Sequence, residues 1–260
     1  MITKPFKRNF RKMHPGPNSG YSQWGYIVDH EYAQSPEHYT RAFLMIQEDL
    51  RRLFEYIEPC DQNLNTHSYR IYEFFVRTCI EIEANFKAIF QENIYSKAES
   101  KWNITDYRLI NQTHHLDDYH VTVPIWTGIQ NTFKPFVEWK SPEGHLSWYQ
   151  AYNECKHNRQ HNFQQATFSN LLKSVSGLLV LLSSQFQNES FAPGTPAIGF
   201  VDEGYYEGSF GLGDFFIVKY PDNWNEDELY DFDWSILKTE PERFQKINYD
   251  EIHASGMSNI

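Results

Sequence analysis

Cysteine is scarce in this chain, with only Cys60, Cys79 and Cys155 among 260 residues, far apart and without a Cys-x-x-Cys pair. That leaves no basis for a zinc ribbon and fits a reducing compartment. Long apolar runs are also missing. The longest nearly unbroken one, residues 178–182, is far too short to cross a bilayer, so no membrane association is expected. The first residues are basic but lack the apolar stretch and small-residue cleavage site of a signal peptide, which sets the expectation of a cytoplasmic protein. Positive charge is in deficit too. Lys and Arg number 23 against 34 Asp and Glu, a formal charge of −11 that opposes broad electrostatic attraction to nucleic acid. No internal repeat or low-complexity tract occurs.

Large apolar side chains are plentiful. The chain is 40% hydrophobic and 17% aromatic, which argues against wholesale disorder and supplies rings enough for a sizeable core. Charge is unevenly placed: Lys4, Lys7, Arg8, Arg11 and Lys12 form a basic arm, and Asp222, Glu226, Asp227, Glu228, Asp231 and Asp233 an acidic run. The simplest readings are a solvated tail and a solvated face. A basic arm also suits a phosphate backbone, and an acidic run a basic partner.

Residues 1–34 read as irregular, with Pro15, Gly16, Pro17 and Gly20 crowded together. Ser35, Pro36 and Glu37 then offer an N-cap, a first-turn proline and a favourable acid. Tyr39, Phe43, Ile46, Leu50, Leu53 and Ile57 repeat at helical spacing up to Pro59. A second helix should open near Thr66 or Ser68 and run to about Tyr95, with Ile71, Phe74, Phe75, Ile82, Phe86 and Ile89 on its apolar face. Residues 96–140 have the texture of an insertion of strand and loop, with Val121, Val123 and Ile125 alternating. A helix starting at Ser141-Pro142-Glu143 carries Leu146, Trp148, Tyr149 and Tyr152. A last, broadly apolar helix spans Ala166 to Leu182 and suits the core or a dimer seam. From residue 188 onward, glycine and proline punctuate short strands, expected at residues 197–201 and 215–220. The glycines of Gly208-Ser-Phe-Gly211-Leu-Gly213 lack the helix and Lys-Ser/Thr pair of a phosphate loop and read as turn residues.

The segment richest in chemistry is residues 148–162, which packs Asn153, Lys156, His157, Arg159 and His161 between two apolar-faced helices. A cation stabilises a phosphorane-like transition state, and a histidine moves the proton of a ribose 2′-hydroxyl near neutral pH, without any metal. A plainer reading stands beside this one. His157 and His161 suit a solvated helical pair, Asn153 a satisfied amide, and Lys156 and Arg159 charges that complement a helix C-terminus. His114, His115 and His120, with Asp117 and Asp118, raise the alternative of a metal site, though without diagnostic spacing. A metal-dependent hydrolase using His157, His161 and a distant acid is a further alternative.

Tyr152-Asn153-Glu154-Cys155-Lys156-His157, set in this order of helices, resembles the HEPN superfamily over roughly residues 35–187. Members share a helical bundle and generally pair into dimers. Many are metal-independent ribonucleases in toxin–antitoxin, RNA-processing or phage-defence systems. Their signature is an Arg, usually followed by Asn, Asp or His, and then a His after four to six intervening residues. Here the Asn and the His fall at the right offsets, and Tyr152 stands where the family has its Arg. The resemblance implies His157 as general acid/base, Arg159 and Lys156 as phosphate-charge stabilisers, Asn153 as a positioning group and Glu83 as an orienting carboxylate.

The expected architecture is therefore mainly α: a HEPN-like bundle of long antiparallel helices over residues 35–187, with a β/loop insertion at about 96–140. An irregular basic arm (1–34) precedes it and a β-rich, acidic extension (188–260) follows. The expected function is an RNA-directed protein, with metal-independent endoribonuclease activity in a phage-defence or toxin–antitoxin system as the enzymatic form. It needs no cofactor and acts as a homodimer. The alternative is a non-catalytic module of the same fold that dimerises or binds a protein partner or ligand.

Overall fold

A computed structural model describes residues 1–17, 19–192 and 207–257. The expected strand at 197–201 lies outside the described residues. Among the described residues the chain is mainly helical, with α1 (Pro36–Phe54), α2 (Tyr69–Glu92), α3 (Ile104–His114), α4 (Ser147–His157), α5 (Arg159–Asn162), α6 (Phe168–Phe186), α7 (Trp234–Leu237) and α8 (Tyr249–Met257). Four short strands, β1 (His120–Thr122), β2 (Thr132–Phe133), β3 (Ser209–Phe210) and β4 (Ile217–Lys219), form one antiparallel sheet of order β2-β1-β4-β3.

The helix starts follow local chemistry unevenly. Ser68 caps α2 as expected, its hydroxyl accepting from the Ile71 N–H at 3.2 Å. Ser35 precedes α1 but takes a left-handed conformation, φ 47°, and its side chain caps nothing. The chain enters α1 there because the Gln34 N–H is held by both Glu92 carboxylate oxygens at 3.0 Å. The helix expected at Ser141 starts instead at Ser147. Residues 141–144 form a tight turn whose carbonyls are gathered by Arg108, which donates to Trp139, Ser141, Pro142 and Gly144. Helix α3 is absent from the expected elements, although Asn103 and Asp106 form a reciprocal capping box at its start.

Helices α2 and α6 share the largest interface, and they run parallel. At their starts His67 bridges Thr167 and the Phe168 N–H donates to the Thr66 carbonyl at 2.7 Å; near their ends the Gln185 amide meets Asn85 at 3.3 Å. The antiparallel expectation fails for this pair because the long connection carries the chain from the C-terminal end of α2 back to its N-terminal end before α6 begins. It holds for their neighbours. Arg77 of α2 pairs with Asp49 late in α1, and Arg159, just after α4, reaches Tyr69 at the start of α2. Helix α6 is buried on every side by its own chain, with Leu171, Val175, Leu178 and Leu182 all essentially inaccessible. It is a core helix and offers no dimer seam.

Two further expectations are corrected. The insertion and the C-terminal region are not separate appendages, because β1 and β4 pair directly with Val121 opposite Val218. One continuous core reaches from Phe10 through the helices to Tyr230, Trp234 and Tyr249. The basic arm is not a solvated tail either. Arg8 is fully buried, Arg11 nearly so, and the arm lies against the C-terminal segment through bridges from Ile2 to Tyr230 and Phe6 to Gln245. Cys79 packs in the core as expected, and all three cysteines are reduced and buried. No helix among the described residues is long and apolar enough to cross a membrane.

Arg8 makes this threading possible. Its guanidinium pairs with Glu92, donates to Gln185 Oε1 at 2.9 Å and to the Gln34 carbonyl at 2.8 Å, and lies 4.7 Å from the Tyr39 ring centroid. Replacing Arg8 by Ala strands the Glu92 charge and should cost about 3–5 kcal/mol in denaturant unfolding. A loss below about 1 kcal/mol would mean that the network is not structural.

His114 gives the fold a pH signature. Burial holds its pKa down at about 3, while Nε2 meets the Arg8 carbonyl and Nδ1 the Thr113 hydroxyl, each at 2.9 Å. The unfolded chain binds a proton below about pH 6.5 that the folded chain refuses. Stability should therefore fall as pH drops from about 6.5 toward 3, with a slope approaching 1.4 kcal/mol per pH unit from this group. Chemical unfolding of wild type and His114→Gln across that window checks it, and identical slopes would remove His114 as the cause.

Candidate functional site

The chemistry-bearing residues sit at the end of α4 and in the short helix α5, beside the first half of α2. Helix α4 is anchored by Trp148, whose indole N–H donates to the Pro135 carbonyl at 2.7 Å. Helical spacing then directs Tyr149, Tyr152 and Lys156 toward α2. The Tyr149 hydroxyl donates to Glu83 Oε1 at 3.0 Å. The Lys156 ammonium donates to the Tyr152 hydroxyl at 3.1 Å and stands 4.0 Å from the same Glu83 oxygen. Burial, reinforced by the Glu83 charge, pushes both tyrosine hydroxyls far above their ordinary pKa, so they stay protonated.

Glu83 and Lys156, two of the expected site residues, thus stand 4.0 Å apart, each hydrogen-bonded to a tyrosine. Where the HEPN signature has its Arg, Tyr152 is fully buried, packs against Phe75 and accepts from Lys156. Arg159 does not join this group. It turns onto the first turn of α2, where Nη1 donates to the Tyr69 hydroxyl at 2.9 Å and the guanidinium lies within 6 Å of the Tyr69 and Tyr72 rings. His157 and His161 are exposed, and the His157 side chain has no hydrogen bond or ion pair among the described residues. Asn153 is half-buried, also without a side-chain hydrogen bond. The five expected residues therefore fall into a Glu83–Lys156 pair, a separate Arg159 contact, and two unsupported side chains.

The charge of this surface departs from that of the chain. No Asp or Glu occurs between Glu154 and Glu189, while Lys156 and Arg159 are exposed there beside two histidines. Elsewhere, a cleft of about 400 Å³ between α1 and α2 is lined by Arg52, Arg70 and Arg77 together with Asp49, Glu55 and Glu73. Its charges cancel, and Arg77 is already paired with Asp49 at 2.6 Å. It shows no preference for an ion of either sign.

The alternative metal sites do not assemble. No cluster of three or more His, Cys, Asp or Glu side chains able to hold a metal occurs among the described residues. His114 is committed to the Arg8 carbonyl, and His115 to Glu228 Oε1 at 3.0 Å, its ring tilted 42° to that of Trp224 at 4.1 Å. No family model, curated protein or solved structure matches the chain.

Two residues of the site escaped the sequence reading. Tyr149 had a signal, since it lies three and seven residues before Tyr152 and Lys156 and so shares their face. Tyr69 had none, being 90 residues from the arginine it contacts.

Tyr149→Phe removes a hydrogen bond to a charged, half-buried acceptor and should cost about 1.5–3 kcal/mol of stability. In a Glu83→Gln background the cost should be smaller, with a coupling of about 1 kcal/mol or more. Fully additive losses would show that the contact contributes nothing.

Proposed function

We propose that this chain is an RNA-directed protein of HEPN-like type, holding RNA on the exposed surface at the α4–α5 junction. The observation that carries the reading is electrostatic. In a chain of net charge −11, the stretch after Glu154 carries no acid until Glu189 and displays Lys156, Arg159, His157 and His161 together on the outside. Exposed cations and histidines that together outnumber the neighbouring acids, Glu154 and Glu83, suit the phosphodiester backbone.

Binding without cutting is favoured over the endoribonuclease form. In-line attack by a ribose 2′-hydroxyl needs an oriented base and a cation aimed at the same phosphate. Here His157 has no partner among the described residues to fix its ring, Arg159 is bound to Tyr69, and the signature's arginine position is filled by buried Tyr152. The defence or toxin–antitoxin setting rests on the motif resemblance alone.

A mobility-shift titration with a mixed RNA pool, run in EDTA, tests both parts. Wild type should retard RNA without shortening it. The double variant Lys156→Ala/Arg159→Ala should bind more weakly, with a log–log salt slope shallower by roughly 1.4, two contacts at about 0.7 each. Failure of folded wild type to retard any RNA would sink the reading. Cutting that disappears in His157→Ala would restore the enzyme.

A further inference from the structure

We propose that Tyr69, Tyr72 and Phe163, with the Arg159 guanidinium over Tyr69 and Tyr72, form a stacking platform for the bases of single-stranded RNA. This deepens the RNA-directed reading, on which it rests, by naming the class of RNA held. The three rings gather at the start of α2. The Tyr69 and Phe163 centroids are 6.0 Å apart at an interplanar angle of 35°, Tyr72 and Phe163 are 5.9 Å apart, and Tyr69 and Tyr72 also 5.9 Å. His67 meets Phe163 edge-on at 6.0 Å. Tyr72 and Phe163 are half-buried, whereas Tyr69 is 55% exposed.

The backbone beneath Tyr69 is fixed, although its ring is open to solvent. The Ser68 cap and the bond from the Phe168 N–H to the Thr66 carbonyl tie this turn to both central helices. Arg159 holds the ring by its hydroxyl through a single N–H. A guanidinium carries five donors, and the rest have no partner among the described residues, so they are free to meet a phosphate. A rigid, exposed ring beside such a guanidinium is the combination that binds unpaired bases, the ring taking the base and the cation the backbone.

The chain's charge selects the single strand. Two exposed cations and neighbouring histidines on a protein of net charge −11 cannot hold a duplex by phosphate contacts alone. In a duplex the base faces are covered by their neighbours, whereas in loops and single strands they are open to stacking.

Fluorescence anisotropy with a labelled single-stranded oligoadenylate of about a dozen nucleotides, and with the same strand annealed to its complement, tests the proposal. Wild type should bind the single strand at least about 10-fold more tightly than the duplex. Tyr69→Leu should weaken single-strand binding roughly 10-fold, and Tyr69→Phe, which keeps the ring, by less than about 3-fold. Thermal melting confirms that both variants fold. Equal affinity for duplex and single strand overturns the platform, as does Tyr69→Leu binding like wild type while Lys156→Ala binds weakly; either result leaves the RNA-directed reading standing. Binding of neither RNA by wild type removes both.

Discussion

The guanidinium of Arg8 is shut away from water and must find its hydrogen bonds inside the protein, and four segments are drawn together in meeting that need. Glu92 comes from the end of α2, Gln185 from the end of α6, the Gln34 carbonyl from the approach to α1, and Arg8 itself from the N-terminal arm. A buried charge is tolerated only when it is paired and its donors are satisfied. The same network extends outward: Glu92 fixes the Gln34 N–H, the Arg8 carbonyl receives His114, and the Phe10 N–H reaches the Ser184 carbonyl. An arm rich in lysine and arginine becomes an internal strap because its third basic residue has nowhere else to go.

With the C-terminal ends of α2 and α6 clamped in this way, their N-terminal ends are aligned too, since the two helices are parallel. The cap of α2 at Ser68 and that of α6 at Thr167 lie side by side, and the polar segment between α4 and α6 crosses the same end. Arg159 therefore arrives at Tyr69, and Lys156 at Glu83, as consequences of bundle geometry. The sheet contributes at the other side, where β1 from the insertion and β4 from the C-terminal region close the core over α6.

The site is divided by the same geometry. Helix α4 turns Tyr149 and Tyr152 inward toward Glu83, leaves Lys156 half-exposed against the Tyr152 hydroxyl and puts His157 outside. A tyrosine in place of arginine changes more than one charge. Its ring is buried in the core, and its hydroxyl accepts from the neighbouring lysine, so the position stabilises the helix pair and faces no ligand. What stays exposed is a set of cations and rings, and these are the groups to which RNA binding is proposed.

By itself the sequence determined the long helices, the opening of α2 near Ser68, the core role of Cys79 and the concentration of chemistry at 153–161. These follow from helical periodicity and local hydrogen bonding, which act over a few residues, or from a motif. Only the tertiary structure decided the rest. The burial of Arg8, the turn held by Arg108 where a helix seemed to begin at Ser141, the parallel pairing of α2 with α6 and the contact of Arg159 with Tyr69 all join residues 30 to 180 positions apart in sequence. Local pattern carries no record of such partners. A basic residue looks the same in sequence whether water or a buried carboxylate will satisfy it, and only the packing of the whole chain makes that choice.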